Sequence, residues 1–383
     1  MTEYGWGFHS LGNITMRQLV IFLFQANGWN EPWVVLFITT GFVIICFSLS
    51  FWHAPCIKQS AMKKTTIPYP FIVTLLMLLS LAYRPAVAGV DVHYRYPLAN
   101  FSGPLKTFQA KLAVARKANE VFVFDPVKKD IRIFNEHGME IFSLGEEDEF
   151  FWLRDFAVDE ESNVYVLFRN FRSNGIPKYN FRGDLVDRIK VQGVSAQFED
   201  FEPSILVFRH NRLYLVDVDS LRIVVLDQQG VFQTGYAVMP QVREIALSIL
   251  MKKKQKNPIL SVFGFNVDDQ GNMFFTEPMI ASVFRVRPDG QIDRFGKAGS
   301  SAGQFGVVSG VAIDEQGYIY VSDRLRCVVM VFDKDFNFVN EFGYRGYGPS
   351  NLIVPSDVAV SNGNIFVSQA ANRGVSCYRI TSE

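Results

Sequence analysis

The chain has 383 residues, of which 49% are hydrophobic, so it is long enough to bury one large core or two smaller ones. Basic and acidic residues are equal in number, 38 of each, and this balance argues against nucleic-acid binding, which needs a basic face to neutralise phosphates. The four cysteines include no CxxC or CxxCH spacing, so the chain has no disulfide framework or haem attachment motif.

Two apolar stretches precede the body of the chain. Residues 33–52 form an uncharged run long enough to span a bilayer as a helix. Residues 62–88 have a basic start at Met62, Lys63 and Lys64, an apolar centre and a small-residue cleavage site, which together are typical of a secretory signal peptide. A third interpretation, two buried core helices of a soluble protein, is the least favoured because both stretches match membrane or export signals.

These stretches leave two alternatives for the start of the protein. Either translation begins at Met62 and residues 1–61 are an over-long gene assignment, or the longer chain is real and a first transmembrane helix precedes a cleaved or retained second segment. Both alternatives predict that the body, residues 89–383, is exported across the cytoplasmic membrane to the periplasm, the cell surface or the medium.

The body contains a repeated strand pattern. Six copies of its second strand align at spacings of 43, 49, 60, 46 and 46 residues, and they are Val121–Asp125, Val164–Phe168, Leu213–Asp217, Met273–Glu277, Ile319–Asp323 and Ile365–Gln369. A small-residue strand precedes each copy, and turn residues separate the strands. A period near 45 with four strands per unit predicts an all-β fold, a six-bladed β-propeller of four-stranded antiparallel blades.

The last copy has only three strands before the chain ends at Glu383. Residues 90–98, VDVHYRYPL, have the length and alternation of an outer strand. We therefore expect this segment to complete the last blade and to close the ring, which removes the free sheet edges.

The clearest unit, residues 305–343, contains GVAIDEQGYIYVSD followed by VFDKDFNFVNEFG. This pattern resembles the NHL repeat, and the resemblance extends over roughly residues 105–380, with its strongest part C-terminal. The resemblance implies a six-bladed propeller that serves mainly as a binding platform. It also implies a minority alternative, because some relatives are enzymes, namely a metal-dependent amidating lyase and, more distantly, lactonases.

In a propeller, the loops between the second and third strands share one face with the connections between blades, and function usually lies there. The position that closes the second strand is acidic in four repeats, and its residues are Asp125, Phe168, Asp217, Glu277, Asp323 and Gln369. The four acids predict a site for a cation or a basic peptide. The alternative is that each carboxylate bonds its own loop, as in Asx turns.

The same loops are predicted to carry a set of basic side chains with aromatic and amide neighbours: Arg169, Arg172, Lys178, Arg222, Arg324, Arg326 and Arg373, with Tyr179, Asn170 and Asn372. Guanidinium and aromatic groups often anchor protein interfaces, so we expect a protein or peptide partner here. The alternative is solvated loop charge.

The third interval is longer than the others, and the excess lies in residues 240–258. A helix is predicted from Arg243 to Met251, followed by four lysines, Lys252, Lys253, Lys254 and Lys256. The lysines favour contact with a partner or an anionic membrane surface. The alternative is a short packed helix with a solvated lysine-rich end.

The body of the chain has few residues of the types that usually carry out catalysis. The body has three histidines, His93, His137 and His210, which the strand order keeps away from the channel mouth. We therefore expect no cofactor, with a structural or channel-bound Ca²⁺ left open, and a non-enzymatic exported propeller that acts as an accessory factor in the cell envelope. Its expected partner is a protein or peptide, for which a secreted redox assembly is one candidate. The alternative is a metal-dependent hydrolase or lyase with its site in the channel.

Overall fold

The computed structural model describes residues 90–145, 150, 152–251 and 259–382. The predicted membrane helix at 33–52 and the signal segment at 62–88 lie outside these residues. Within the described part of the chain, none of the helices has the length and apolar character needed to cross a bilayer.

The body is a six-bladed β-propeller, as the repeat spacing predicted, and it begins with three short or peripheral strands, β1 (Val90–Pro97), β2 (Ala99–Asn100) and β3 (Gly103–Pro104). Each blade is a four-stranded antiparallel sheet whose first strand lies innermost. Blade 1 consists of β4 to β7, which are Lys111–Ala115, Glu120–Asp125, Asp130–Phe134 and Glu140–Leu144. Blade 2 consists of β8 to β11, which are Leu153–Val158, Val164–Phe168, Ile176–Tyr179 and Leu185–Ile189.

The next three blades repeat the same order. Blade 3 consists of β12 to β15, which are Ile205–Arg209, Arg212–Asp217, Arg222–Asp227 and Phe232–Ala237. Blade 4 consists of β16 to β19, which are Phe265–Val267, Met273–Glu277, Ser282–Val286 and Ile292–Phe295. Blade 5 consists of β20 to β23, which are Val308–Ile313, Ile319–Asp323, Val328–Phe332 and Phe338–Phe342.

Blade 6 joins the two ends of the propeller. Its inner strands are β24 (Pro355–Ser361), β25 (Asn364–Gln369) and β26 (Val375–Ser382), and β1 is its outermost strand. The pairing of β1 with β26 is antiparallel and runs from Val90 opposite Ser382 to Pro97 opposite Ser376. The predicted closure by the segment 90–98 is therefore confirmed.

The core lies between the blades rather than inside any one of them. Its buried apolar residues form six clusters, each shared by two neighbouring blades. In the cluster between blades 6 and 1, for example, Val121 and Val123 pack with Phe366 and Val375. Full burial of one such side chain stabilises the fold by about 1.5–3 kcal/mol, so each blade depends on both of its neighbours. Cys327 and Cys377 are buried as free thiols.

The described helices lie in loops and connections. They are α1 (Phe171–Asn174), the 3₁₀ helix Ala196–Phe198 and α2 (Met239–Leu250). Helix α2 begins earlier than the predicted Arg243, because Pro240 fits the first helical turn, where no backbone N–H is needed. Its buried residues Val242, Ala246 and Leu250 recur every fourth position and pack between blades 3 and 4.

Candidate functional site

The strand order defines two faces of the propeller. The loops between second and third strands, together with the connections between blades, form what we call the mouth face. The turns between first and second strands close the channel at the opposite end.

The acidic residues predicted to form a site on the mouth face instead accept hydrogen bonds from the backbone of their own loops. Asp323 is fully buried, and its carboxylate accepts hydrogen bonds from the backbone N–H groups of Leu325 (3.0 Å), Val307 (3.1 Å) and Gly306 (2.5 Å). It thereby ties its own loop to the connection that enters blade 5. This is the loop-stabilising alternative that the sequence left open.

The other members of this column behave in the same way. Asp217 accepts from the N–H groups of Asp219 and Glu202, both at 3.1 Å, and Glu277 accepts from Ile280 (2.9 Å). Asp217, Glu277 and Asp323 are no more than 4% exposed, so we do not include them in a binding surface. Burial raises the pKa of Glu277.

Three predicted arginines brace the connections between blades. Arg326 donates to the carbonyl of Gln304 at 2.9 Å and to Glu341 at 2.8 Å. Arg373 donates to the carbonyls of Tyr347 (3.0 Å) and Gly348 (2.9 Å). Arg222 makes the same kind of contact with the carbonyl of Gln197 (3.2 Å) and with Asp200 (2.5 Å). Their guanidinium groups therefore fix the shape of the mouth face.

Three further arginines lie against aromatic rings. Arg169 lies 5.9 Å from the ring of Trp152, and Arg324 lies 5.9 Å from the ring of Phe263. Each pair joins a loop between second and third strands to a connection between blades. Arg172 is exposed and lies 5.7 Å from the ring of Phe171, and it also donates to the carbonyl of Phe201. Asn372 is exposed at a loop tip in a left-handed conformation with φ 58°.

The placement of Lys178 on the mouth face was wrong. Helix α1 lengthens the loop that precedes β10, so Lys178 lies within that strand and not in the loop. Its ammonium is 3.3 Å from the carboxylate of Asp159, which begins the turn between β8 and β9 at the opposite end. The ammonium also lies 5.0 Å from the ring of Tyr165.

The insertion 240–258 forms a packed helix in its described part. Helix α2 lies in the connection between blades 3 and 4 and exposes Gln241, Arg243 and Glu244. The predicted contact residues Lys252, Lys253, Lys254 and Lys256 lie outside the described residues, so they remain a prediction.

Exposed apolar side chains are the feature of the mouth face that the sequence did not reveal. They come from loops and connections of several blades and are Phe108, Val127, Trp152, Met251, Ile259, Phe263, Met279, Leu325, Tyr344 and Tyr347. Leu325 is 61% exposed and Tyr347 is 84% exposed. Among the described residues, the turns between first and second strands carry no exposed large hydrophobic residue. A second apolar group lies on the outer rim of blades 1 and 2, at Ile141, Phe142, Phe181, Leu185 and Val186.

A ring of six residues lines the channel just inside the mouth. The strand registers place equivalent residues of the inner strands in this ring: Lys111, Asp155, Ile205, Gly264, Gly310 and Asp357. Blades 6, 1 and 2 are neighbours, so Lys111 lies between the two aspartates. An added Cβ at Gly310 would lie 2.8 Å from Cα of Asp357, so the narrow ring requires glycine there.

Hydrogen bonds hold the two carboxylates against the inner strands of the next blades. Asp155 accepts from the backbone N–H of Leu206 at 3.0 Å, and Asp357 accepts from that of Leu112 at 2.9 Å. Among the described ion pairs within 4.0 Å, none joins Lys111 to either carboxylate. The three charged groups therefore face the same space without closing on one another.

The environment shifts the pKa of all three groups. The pKa values of Asp155 and Asp357 are raised because burial penalises the carboxylate form, while the Lys111 ammonium opposes the shift. The pKa of Lys111 is raised by the Asp155 carboxylate, with burial opposing and Asp357 adding to the effect. The ring thus places one lysine side chain between two buried carboxyl groups.

The far end of the channel is closed by direct ion pairs. Arg116 lies 3.0 Å from Glu315 and 3.6 Å from Asp269. Asp269 also pairs with Arg209, and it lies 3.5 Å from Nε2 of His210. Burial lowers the pKa of Arg209 to about 10, with a further contribution from Arg116. Burial also lowers the pKa of His210, with Arg209 and Arg116 adding to the effect.

The channel between the inner strands has a small volume. It encloses about 110 Å³ of open space. Small-molecule pockets usually span about 300 Å³ or more, whereas one water takes about 30 Å³ of liquid. The channel therefore has room for a few waters or for the end of one side chain. No group of three or more His, Cys, Asp or Glu side chains in the described residues has the arrangement of a metal site.

Comparison with known proteins supports the fold and little else. No known family model matches the chain. The chain is 38% identical over 78 residues to Protein brain tumor of Drosophila melanogaster, and this segment covers 20% of the chain and 8% of the fly protein. The similarity thus spans a small part of either protein.

Solved structures that resemble the chain differ from it widely in sequence. A protein of unknown function from Bacteroides thetaiotaomicron has a TM-score of 0.54 at 13% identity, covering 76% of both chains. The calcium-binding protein regucalcin from Agrobacterium tumefaciens has a TM-score of 0.49 at 12% identity, covering 76% of this chain and 98% of its own. A gluconolactonase from Xanthomonas campestris has a TM-score of 0.46 at 15% identity, covering 79% and 93%. The first of these similarities supports a propeller fold, and none of them assigns an activity.

Proposed function

We propose that this chain is a non-enzymatic propeller of the NHL type that binds an extended segment of a partner protein across its mouth face. The observation that carries the proposal is the concentration of exposed apolar side chains on that face. Contiguous exposed apolar surface is uncommon on monomeric proteins and marks interaction sites. The apolar residues surround the channel mouth, whereas the described turns between first and second strands, which close the other end of the channel, expose no large hydrophobic residue.

The chemistry of the face fits a protein partner. Arg169 beside Trp152 and Arg324 beside Phe263 pair the two residue types that dominate interface hot spots. The braced loops hold these groups in place before binding, which lowers the entropic cost of association.

The NHL assignment rests on the repeat pattern of residues 305–343. It adds an expectation that the propeller is a platform for recognition. The signal pattern at 62–88 supports an exported propeller that acts as an accessory factor of a cell-envelope assembly, and a secreted redox assembly remains one candidate partner. Protease treatment of cells with an intact cytoplasmic membrane tests this part, because an exported body is digested; a body that stays protected until the membrane is broken would contradict it.

The binding proposal is tested by selecting peptides. A library of random linear peptides displayed on phage is panned against the full-length chain in non-ionic detergent, and enriched sequences are measured on two variants. The mouth variant carries Val127→Ser, Leu325→Ser and Tyr347→Ser. The rim variant carries Ile141→Ser, Leu185→Ser and Val186→Ser, which are 51%, 45% and 53% exposed and provide a matched control.

We expect the enriched peptides to bind the rim variant as tightly as the unmodified chain and the mouth variant at least tenfold more weakly. Thermal unfolding of both variants checks that they remain folded. Loss of binding on the rim variant alone would move the interface to blades 1 and 2. Failure to enrich any peptide would also count against the proposal.

A further inference from the structure

We propose that the channel mouth, at Lys111, Asp155 and Asp357, is a receptor for one organic cation, the guanidinium or ammonium group of an Arg or Lys side chain on the bound segment. This inference rests on the proposed peptide-binding function and names the residue type that the partner supplies. Among the described side chains, these two carboxyl groups and one ammonium lie at the centre of the apolar mouth face.

The first argument is charge. Two carboxylates and one ammonium share a space that is shielded from solvent, and Asp155 is only 5% exposed. Buried charges are stable when they are paired, and with both aspartates ionised this set holds one cation for two anions. A cationic side chain that enters from the mouth face would restore the balance.

The second argument is geometry. Asp155 and Asp357 each use one carboxylate oxygen to accept a backbone N–H of the next blade, and the other oxygen of Asp357 accepts the N–H of Val358 at 3.0 Å. These bonds fix the carboxylates in position. An ionised carboxylate can accept about four hydrogen bonds, so acceptor capacity remains that faces the channel. Guanidinium and ammonium groups have several donors and no acceptor, which complements such a pair of carboxylates.

The third argument is size. The open space of about 110 Å³ extends from Lys111 at the mouth to Arg116 and Arg209 at the far end, so the whole channel holds the volume of only about four waters. A sugar ring or a folded segment does not fit. Of the groups that a peptide can insert, only the end of one side chain matches both this volume and the charge.

A divalent metal ion is a poorer occupant than an organic cation. Ca²⁺ takes six to eight oxygen ligands, whereas the described residues at the mouth supply two carboxylates with an ammonium between them. The ammonium repels a dication roughly twice as strongly as a monocation at equal distance.

The test uses a single residue as the probe. N-acetylarginine amide and N-acetylcitrulline amide have nearly the same shape, but only the first is charged. Both are titrated into the full-length chain in non-ionic detergent by calorimetry. We expect the arginine derivative to bind with a dissociation constant on the order of 1 mM and the citrulline derivative at least tenfold more weakly. Equal binding of the two would overturn the inference.

The variants test the location of the site. The double variant Asp155→Asn with Asp357→Asn keeps one oxygen at each position, which can still accept the N–H of Leu206 or Leu112, and it is expected to lose binding of the arginine derivative. Lys111→Met removes the competing ammonium and is expected to tighten binding about tenfold. Glu315→Gln at the far end of the channel is the matched control and is expected to leave binding unchanged. Binding that survives the double variant, or that weakens in Lys111→Met, would place the site elsewhere.

Two further arms separate this inference from the proposed function. The mouth variant should still bind the arginine derivative, because its substitutions lie outside the channel, although it has lost peptide binding. Peptides that bind the mouth face equally well when their arginines are replaced by citrulline would leave the peptide-binding function intact and overturn the cation receptor. Binding of calcium chloride in place of the arginine derivative would show that the ligand class is wrong.

Discussion

The two ends of the channel use the same kinds of charged residue for different purposes. At the far end, Arg116 lies 3.0 Å from Glu315, and Arg209 pairs with Asp269. At the mouth end, Lys111 faces Asp155 and Asp357 without a direct ion pair. Paired charges hold blades together, whereas an incomplete set is available to a ligand. The difference teaches that the contacts of a charge, more than its presence, separate scaffold from site.

The largest effect is expected from opening the ring. Deletion of residues 90–97 removes β1 from blade 6 and exposes the edge of β26. We expect a loss of roughly 5 kcal/mol or more in the free energy of unfolding, because the contact between blades 6 and 1 also weakens. Both ends of the channel should lose their structure in the same unfolding transition. Thermal unfolding measures the effect, and an unchanged midpoint would contradict ring closure.

The next largest loss of stability is expected from a substitution that affects only the far end of the channel. Arg116→Met leaves Glu315 and Asp269 without their shared cation, and we expect a loss of about 2 kcal/mol, less than for a fully buried pair because both carboxylates are about one-third exposed. Chemical denaturation measures this loss, and binding of N-acetylarginine amide should not change. Weaker binding in this variant would show that the two ends act as one unit.

A smaller effect should distinguish the mouth end by its pH dependence. The folded-state pKa values of Asp155 and Asp357 are raised, chiefly by burial, so their contribution to stability is fully present below the unfolded value near 3.8 and is lost as pH rises through the folded value. Relative to the unmodified chain, the Asp155→Asn and Asp357→Asn double variant should therefore gain stability as pH rises from about 4 to 7, by roughly 1 kcal/mol. The difference between the two denaturation curves cancels the other carboxylates. A difference that does not change with pH would contradict the raised pKa values of Asp155 and Asp357.

The smallest effect should appear at the far end with the opposite sign. The pKa of His210 is lowered below 6.5 by burial and by Arg209 and Arg116, so its contribution is present above 6.5 and is lost as pH falls through the folded value. His210→Gln should remove this loss of stability at low pH. The effect should be about 0.5 kcal/mol in the free energy of unfolding, since the side chain is half exposed. Denaturation at pH 5 and pH 7 measures it, and an unchanged pH dependence would contradict the assignment.

The fold could be predicted from the sequence because every blade repeats the same order of turn and strand residues. That repetition predicted the alignment of the second strands and the closing role of the segment 90–98. Lys178 was misplaced because the same counting assumes a short loop, and helix α1 lengthens the loop in blade 2. A local insertion thus shifted a residue from one face to the other.

The channel receptor was not predicted, although a signal was present. A charged residue occupies the same inner-strand position at Lys111, Asp155 and Asp357, yet the first and last of these lie at opposite ends of the propeller sequence. Only ring closure makes blades 6 and 1 neighbours. The exposed apolar residues of the mouth face were missed for a similar reason, since they lie in irregular connections whose burial depends on the folded structure.

The most direct test of the account is an experimental structure of the protein with N-acetylarginine amide bound. The account predicts density for the guanidinium group at the channel mouth, within hydrogen-bonding distance of Asp155 and Asp357. Density at Glu315 and Asp269, or on the rim of blades 1 and 2 with an empty channel mouth, would contradict it.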